Sequence, residues 1–212
     1  MNVNIRWVDS EQVTDENARE HLSGVDGVLV PGGFGDRGIE GMIASIRYAR
    51  ENHIPFFGIC LGMQMAVVEF ARHVAGIEDA HSSELSDTEN PVIDLMPEQR
   101  DVTDKGGTMR LGAYPCKITS ENTFTYQAYR EPVIYERHRH RYEFNNDYKD
   151  RYEAAGMKCV GINPESDLVE IVEIPTLKWF VGTQFHPEYG STVLNPHPLF
   201  VAFVKAAIEN EK

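Results

Sequence analysis

Gly58-Ile59-Cys60-Leu61-Gly62-Met63-Gln64 marks a boundary between two periodicities. Upstream, Phe56, Phe57, Gly58 and Ile59 belong to a short apolar run that predicts a buried strand over 55–59. Downstream, apolar residues recur at helical spacing and predict a helix over 61–75. The same alternation precedes it, with a strand over 26–31 and a helix over 39–51. Strands that alternate with helices in this way predict an α/β fold, a three-layer sandwich with a mostly parallel central sheet. Working outward, Val3 to Val8 alternates and reads as a strand. Thr14 to Leu22 reads as a short helix with Thr14 as N-cap, its capping box incomplete because Asn17 stands at the third position. Residues 76–105 are polar and acidic and read as a long loop with a short strand or turn. Strands near 107–118 and 133–144 are expected to pair antiparallel around a helix near 121–129. Strands near 158–163, 168–174 and 179–184 follow, and a closing helix begins after Asn195-Pro196. That helix is expected to bury Leu199, Phe200, Phe203, Val204, Ala207 and Ile208.

The predicted turn places Cys60 over the N-terminus of the helix that follows it. Free N–H groups and the helix dipole there favour a thiolate. Gly58 and Gly62 flank it, so backbone and substrate can approach closely. A lone cysteine after a buried strand is otherwise a small hydrophobe. A second segment, Gln184-Phe185-His186-Pro187-Glu188, follows the apolar run 179–183 and supplies a histidine with a carboxylate two residues on. A cysteine nucleophile needs a base, and the base needs an acceptor to fix its tautomer. Cys60, His186 and Glu188 can fill those roles, at strand C-terminal ends where open α/β sheets bind ligands. A third segment, Pro31-Gly32-Gly33-Phe34-Gly35, lacks the spacing of either nucleotide-binding glycine motif. It reads either as a tight turn or as a bare backbone N–H aimed at a developing oxyanion.

The chain has 212 residues, enough for one domain with a real core. A formal net charge of −13 argues against general nucleic-acid binding, which wants a basic face. The three cysteines have no metal-ligand spacing and suit a reducing, cytoplasmic setting. No signal-peptide pattern or membrane-length apolar run is present, so no membrane partner is expected. Cys116, Cys159, Trp7 and Trp179 read as packing residues, and His73, His81 and His197 as surface or capping residues. His138 and His140 share a strand face, but no third ligand is spaced to complete a metal site.

Together, Pro-Gly-Gly-Phe-Gly, Gly-Ile-Cys-Leu-Gly-Met-Gln and Phe-His-Pro-Glu resemble the class I (triad) glutamine amidotransferases. The stretches 38–42, 81–84, 106–112 and 136–143 narrow the resemblance to the C-terminal glutaminase domains of CTP synthases. The Arg-His-Arg-His-Arg-Tyr-Glu run over 137–143 is the narrowest signal. The likeness runs from about residue 3 to residue 208. It begins at what resembles the family's second strand, with the opening strand and the amidoligase (synthetase) domain not among these residues. An edge left without that strand is one where a homo-oligomer can form.

The resemblance implies a single glutaminase domain over 1–212 that hydrolyses the side-chain amide of glutamine through a thioester on Cys60. It implies catalytic roles for Cys60, His186 and Glu188 and an oxyanion hole from the backbone of Gly33 and Leu61. Gly33, Leu61, Gly62, Met63, Gln64, Glu84 and Arg141 match glutamine-binding positions. Arg141 suits the α-carboxylate and Glu84 the α-ammonium. No cofactor is implied for this half-reaction. ATP and Mg would serve the amidoligase domain that converts UTP to CTP, and GTP would act as activator. The basic run over 137–141 would lie near the joint with that domain. Two other readings fit the triad: a γ-glutamyl hydrolase or glutaminase subunit of another synthase, and a non-catalytic partner-binding domain.

Overall fold

The computed structural model describes residues 3–95 and 109–210. Along the chain, α1 (Ala18–Leu22) precedes β1 (Val28–Val30) and α2 (Ile39–Glu51), and β2 (Phe56–Ile59) runs straight into α3 (Leu61–His73). Two short strands follow, β3 (His81–Ser82) and β4 (Pro91–Leu95). Then come β5 (Arg110–Ile118), α4 (Phe124–Tyr129), β6 (Val133–His140), β7 (Tyr142–Phe144) and α5 (Lys149–Ala155). The last elements are β8 (Lys158–Ile162), β9 (Val169–Glu173), β10 (Phe180–Thr183) and α6 (Pro198–Asn210).

Seven strands form one sheet in the order β1-β2-β10-β9-β8-β5-β6, and β3-β4-β7 form a small second sheet. The α/β sandwich expected from the sequence is present, but within the large sheet parallel pairing is confined to β1-β2-β10, the small sheet adding the short parallel pair β3-β4. From β10 outward every pairing in the large sheet is antiparallel. For β8-β9 and β9-β10 the short connectors 163–168 and 174–179 explain this, because a parallel pair needs a crossover of about a dozen residues or more. β2 is apolar throughout because both its faces are covered. Phe56 joins the core formed with Ile43, Ile46 and Met63 of α2 and α3. Its neighbour Phe57 points the other way, among Trp179, Val181 and Leu199, with Phe200 and Phe203 of α6 packed alongside.

Several expectations need correction. Val3–Val8 forms no strand, and Val3, Ile5 and Trp7 are exposed, Trp7 by 88%. A strand needs a ladder partner, and this segment is instead held by Arg6, which donates to the carbonyls of His21 and Ser23. Trp7 is therefore not a packing residue, whereas Trp179 is buried. The helix expected from Thr14 begins at Ala18. Thr14 and Asn17 nonetheless close a reciprocal box, the side-chain Oδ1 of Asn17 accepting from Thr14 N–H at 2.7 Å and Thr14 Oγ1 from Asn17 N–H at 3.4 Å. The strand expected over 133–144 breaks at Arg141 and passes from the large sheet to the small one. Residues 107–108 of the expected strand start, and 96–105 of the expected loop, lie outside the described residues. Among the described residues, no helix is long and apolar enough to cross a membrane.

Candidate active site

The pairing of β2 with β10 brings two distant motifs together. Their parallel register sets Ile59 beside Thr183. The chain leaving β2 is Cys60 and the chain leaving β10 is Gln184-Phe185-His186. Cys60 is buried and caps α3 with φ 51° and ψ −103°, a positive φ that L-residues rarely adopt. Its backbone N–H donates to the Thr183 carbonyl at 2.7 Å, which locks the two strand ends together. The flanking glycines are required by space. A Cβ on Gly62 would overlap the Val30 carbonyl oxygen, and one on Gly58 would sit 2.7 Å from the Gly62 carbonyl carbon.

His186 is buried and its backbone N–H donates to the Arg137 carbonyl at 2.8 Å. Its Nδ1 lies 2.6 Å from Glu188 Oε1, and its ring stacks on Tyr189 with centroids 5.1 Å apart. With Nδ1 committed to the carboxylate, Nε2 is the nitrogen left for the Cys60 sulfur. Burial works against the imidazolium, but the Cys60 sulfur and the Glu188 carboxylate outweigh it and raise the His186 pKa to about 10. Burial likewise opposes charge on Glu188, yet the hydrogen bond with His186 and the nearby cation hold its pKa below the usual value. A buried sulfur, a basic imidazole and a carboxylate in this order can activate a nucleophile and carry its proton.

The glycine-rich turn closes over this pair. A Cβ on Gly32 would lie 2.9 Å from His186 Cε1 and 3.5 Å from Cys60 Cβ. A Cβ on Gly33 would lie 3.2 Å from Leu61 Cδ2, so the glycine-rich turn packs on the Leu61 side chain. Gln64 Nε2 donates to the Tyr142 carbonyl at 2.9 Å and to Gln184 Oε1 at 3.2 Å. Met63 is fully buried against β10, where a Cβ on Gly182 would be 3.0 Å from its Cγ, so its side chain belongs to the core. Glu84 and Arg141 lie near enough for the charge of one to act on the other. Burial raises the Glu84 pKa and the Arg141 cation opposes that rise.

Behind the site lies a buried polar layer. The inward face of β6 carries Glu136, His138 and His140, as its alternation predicts, while Arg137 and Arg139 point outward. The basic surface is thus confined to the arginines. His138 Nδ1 lies 2.9 Å from His140 Nε2, and Arg110 donates to Glu170 at 2.7 Å. Burial pushes both imidazoles below the usual histidine value. No cluster of three metal-ligand side chains occurs among the described residues. His197, expected as a surface or capping residue, is buried and acts as a cap. Its Nδ1 accepts from Leu199 N–H, which caps α6, and its Nε2 lies 2.8 Å from Glu136 Oε1. Cys116 and Cys159 are buried, with burial pushing both thiols up, Cys159 to about 12. Glu170 and Gln184 escaped sequence reading. The only signal for Gln184 is its place two residues before His186 on a strand end.

Residues 1–206 match the family described as glutamine amidotransferase class-I. The chain is 65% identical over 99% of its length to the CTP synthase of Bacteroides thetaiotaomicron, and covers 39% of that protein. It is 61% identical to the CTP synthase of Ruminiclostridium cellulolyticum, again covering 39% of it. The chain thus spans about two-fifths of the length of these curated relatives. Among solved structures, it is similar to the glutaminase domain of Trypanosoma brucei CTPS with bound acivicin. That match has a TM-score of 0.92 and 39% identity, over 99% of this chain and 82% of the other.

Proposed function

Since this chain belongs to the class I glutamine amidotransferase family, and within it to the glutaminase domains of CTP synthases, we propose that it hydrolyses the side-chain amide of glutamine to supply ammonia for CTP formation. The observation that carries this reading is the gathering of Cys60, His186, Glu188 and the glycine-rich turn at the ends of β2 and β10. Cys60 sulfur attacks the amide carbon and forms a tetrahedral oxyanion, which the N–H groups of Gly33 and Leu61 hold. Removing one such donor costs about a hundredfold to a thousandfold in rate. The C–N bond then breaks as His186 gives its proton to the departing nitrogen, releasing ammonia and leaving a γ-glutamyl thioester. Water attacks the thioester, His186 takes its proton, and glutamate leaves with the sulfur restored. Glu188 keeps the imidazole in one tautomer and stabilises its cation. Glu84 and Arg141, opposite in charge and close together, suit the α-ammonium and α-carboxylate of the substrate.

The whole CTP-forming activity needs an amidoligase domain, ATP with Mg, and UTP, and we assign GTP the role of activator. The test is glutamate release by this chain beside Cys60→Ala, alone and then with a separately supplied amidoligase domain and GTP. Release that disappears in the variant supports the reading. A folded chain that stays silent in both settings overturns it. Release without any coupling to CTP would favour a glutaminase serving another synthase.

A further inference from the structure

Gln184 is almost fully buried at the end of β10, and nothing in the hydrolytic steps above uses it. Its side-chain Nε2 lies 3.7 Å from Cys60 Sγ, within reach for a hydrogen bond to sulfur. The direction of that amide is fixed by its surroundings. The Tyr142 carbonyl can only accept, so it sets the NH2 end of Gln64, which donates to it at 2.9 Å. The same NH2 group gives its second hydrogen to Gln184 Oε1 at 3.2 Å. That leaves the Gln184 NH2 group facing the sulfur. The backbone is fixed as well, since Gln184 N–H donates to the Glu170 carbonyl at 2.8 Å.

The sulfur also has a neighbour of the opposite kind. The Arg139 carbonyl oxygen lies 4.0 Å from Sγ and can accept from a thiol but not donate to a thiolate. It therefore favours the protonated sulfur, and a donor is needed on another side to offset it. His186 feels the charge of the sulfur and can supply one donor, but it must give up its proton during the reaction. Gln184 never ionises and its donor is always present.

We propose that Gln184 is a positioning residue for the reaction, holding the Cys60 sulfur in its attacking rotamer and stabilising its charged form through a relay that begins at the Tyr142 carbonyl. The proposal rests on the reading of Cys60 as nucleophile. The test is the rate of iodoacetamide alkylation at Cys60 at neutral pH, with the modified peptide identified by mass spectrometry, in the wild type, Gln184→Met and Gln184→Glu. Methionine keeps the volume and loses the donor, and glutamate keeps the shape and puts an acceptor against the sulfur. Alkylation should slow by about three- to tenfold in Gln184→Met, the range expected for one hydrogen bond. It should slow further in Gln184→Glu. Turnover of glutamine should fall in kcat with KM unchanged. Alkylation at the wild-type rate in whichever variant retains the wild-type circular dichroism and melting temperature would overturn the proposal. Alkylation reads the thiol directly. A wild type that releases no glutamate, either alone or with the amidoligase domain and GTP, would therefore sink the glutaminase reading while leaving this contact measurable.

Discussion

Cys60 sits in a backbone conformation that its side chain does not favour. Its φ of 51° and ψ of −103° place it outside the regions an L-residue occupies readily. Such strain typically costs about 1–3 kcal/mol and persists only where the surroundings over-determine it. Here the Thr183 carbonyl and the start of α3 hold it. Glycine has no Cβ to clash, so Cys60→Gly should unfold at higher urea than Cys60→Ala, by about 1 kcal/mol in free energy. Equal stabilities would show that the turn is unstrained. The cysteine itself was legible from the change of periodicity around it. His186 and Glu188 were legible from their spacing. Gln184 was not, because the direction of a side-chain amide is set by partners that are distant in sequence, Gln64 and through it Tyr142.

The β2–α3 unit depends on contacts that admit no added atom. A methyl group at Gly62 would collide with the Val30 carbonyl and push α3 off β1. Gly62→Ala should therefore lower stability by about 1–3 kcal/mol, the usual cost of overpacking, and displace Leu61 from Gly33. Chemical denaturation together with the glutamate assay reads both effects. On its outer side, α3 is tied to α2 by Glu69, whose carboxylate is fully buried and accepts from Arg50 at 2.8–3.1 Å. Glu69→Ala leaves that guanidinium with only a 3.4 Å contact to Glu51 and should cost about 3 kcal/mol, whereas the exposed Glu11–Arg37 pair should contribute little. A loss for Glu69→Ala no larger than for Glu11→Ala would contradict this. Helices α2, α3 and α6 were legible because apolar periodicity over 13 residues is hard to mistake. The Val3–Val8 segment misled because alternation alone does not supply a pairing neighbour. The short helix α5 went unread because its seven residues bury only Tyr152 and carry little periodic signal.

Residues from both halves of the chain build the site, so its electrostatics are coupled to the stability of the fold. The order β1-β2-β10-β9 is what joins them, and only part of it was legible. The alternation predicted strands and helices, while adjacency of β2 and β10 is a tertiary fact that depends on which apolar faces meet. That adjacency gives the fold a pH signature. His186 ordinarily titrates at 6.5 but reaches about 10 in the folded chain. Between those values the folded state holds a proton that the unfolded state has released, so this contribution is complete below pH 6.5 and is lost as pH rises toward 10. Glu188 acts at the other end. Its folded pKa lies below the ordinary 4.5, so its contribution is present above that value and is lost as pH falls through the folded one. Urea unfolding should then show a decline in stability from pH 6.5 to pH 10 that is steeper in the wild type than in Cys60→Ala or Glu188→Gln. Those substitutions remove the two groups that sustain the imidazolium. Glu188→Gln should also lose less stability on acidification than the wild type. Parallel stability curves for all three proteins would show that the sulfur and the carboxylate do not sustain the imidazolium.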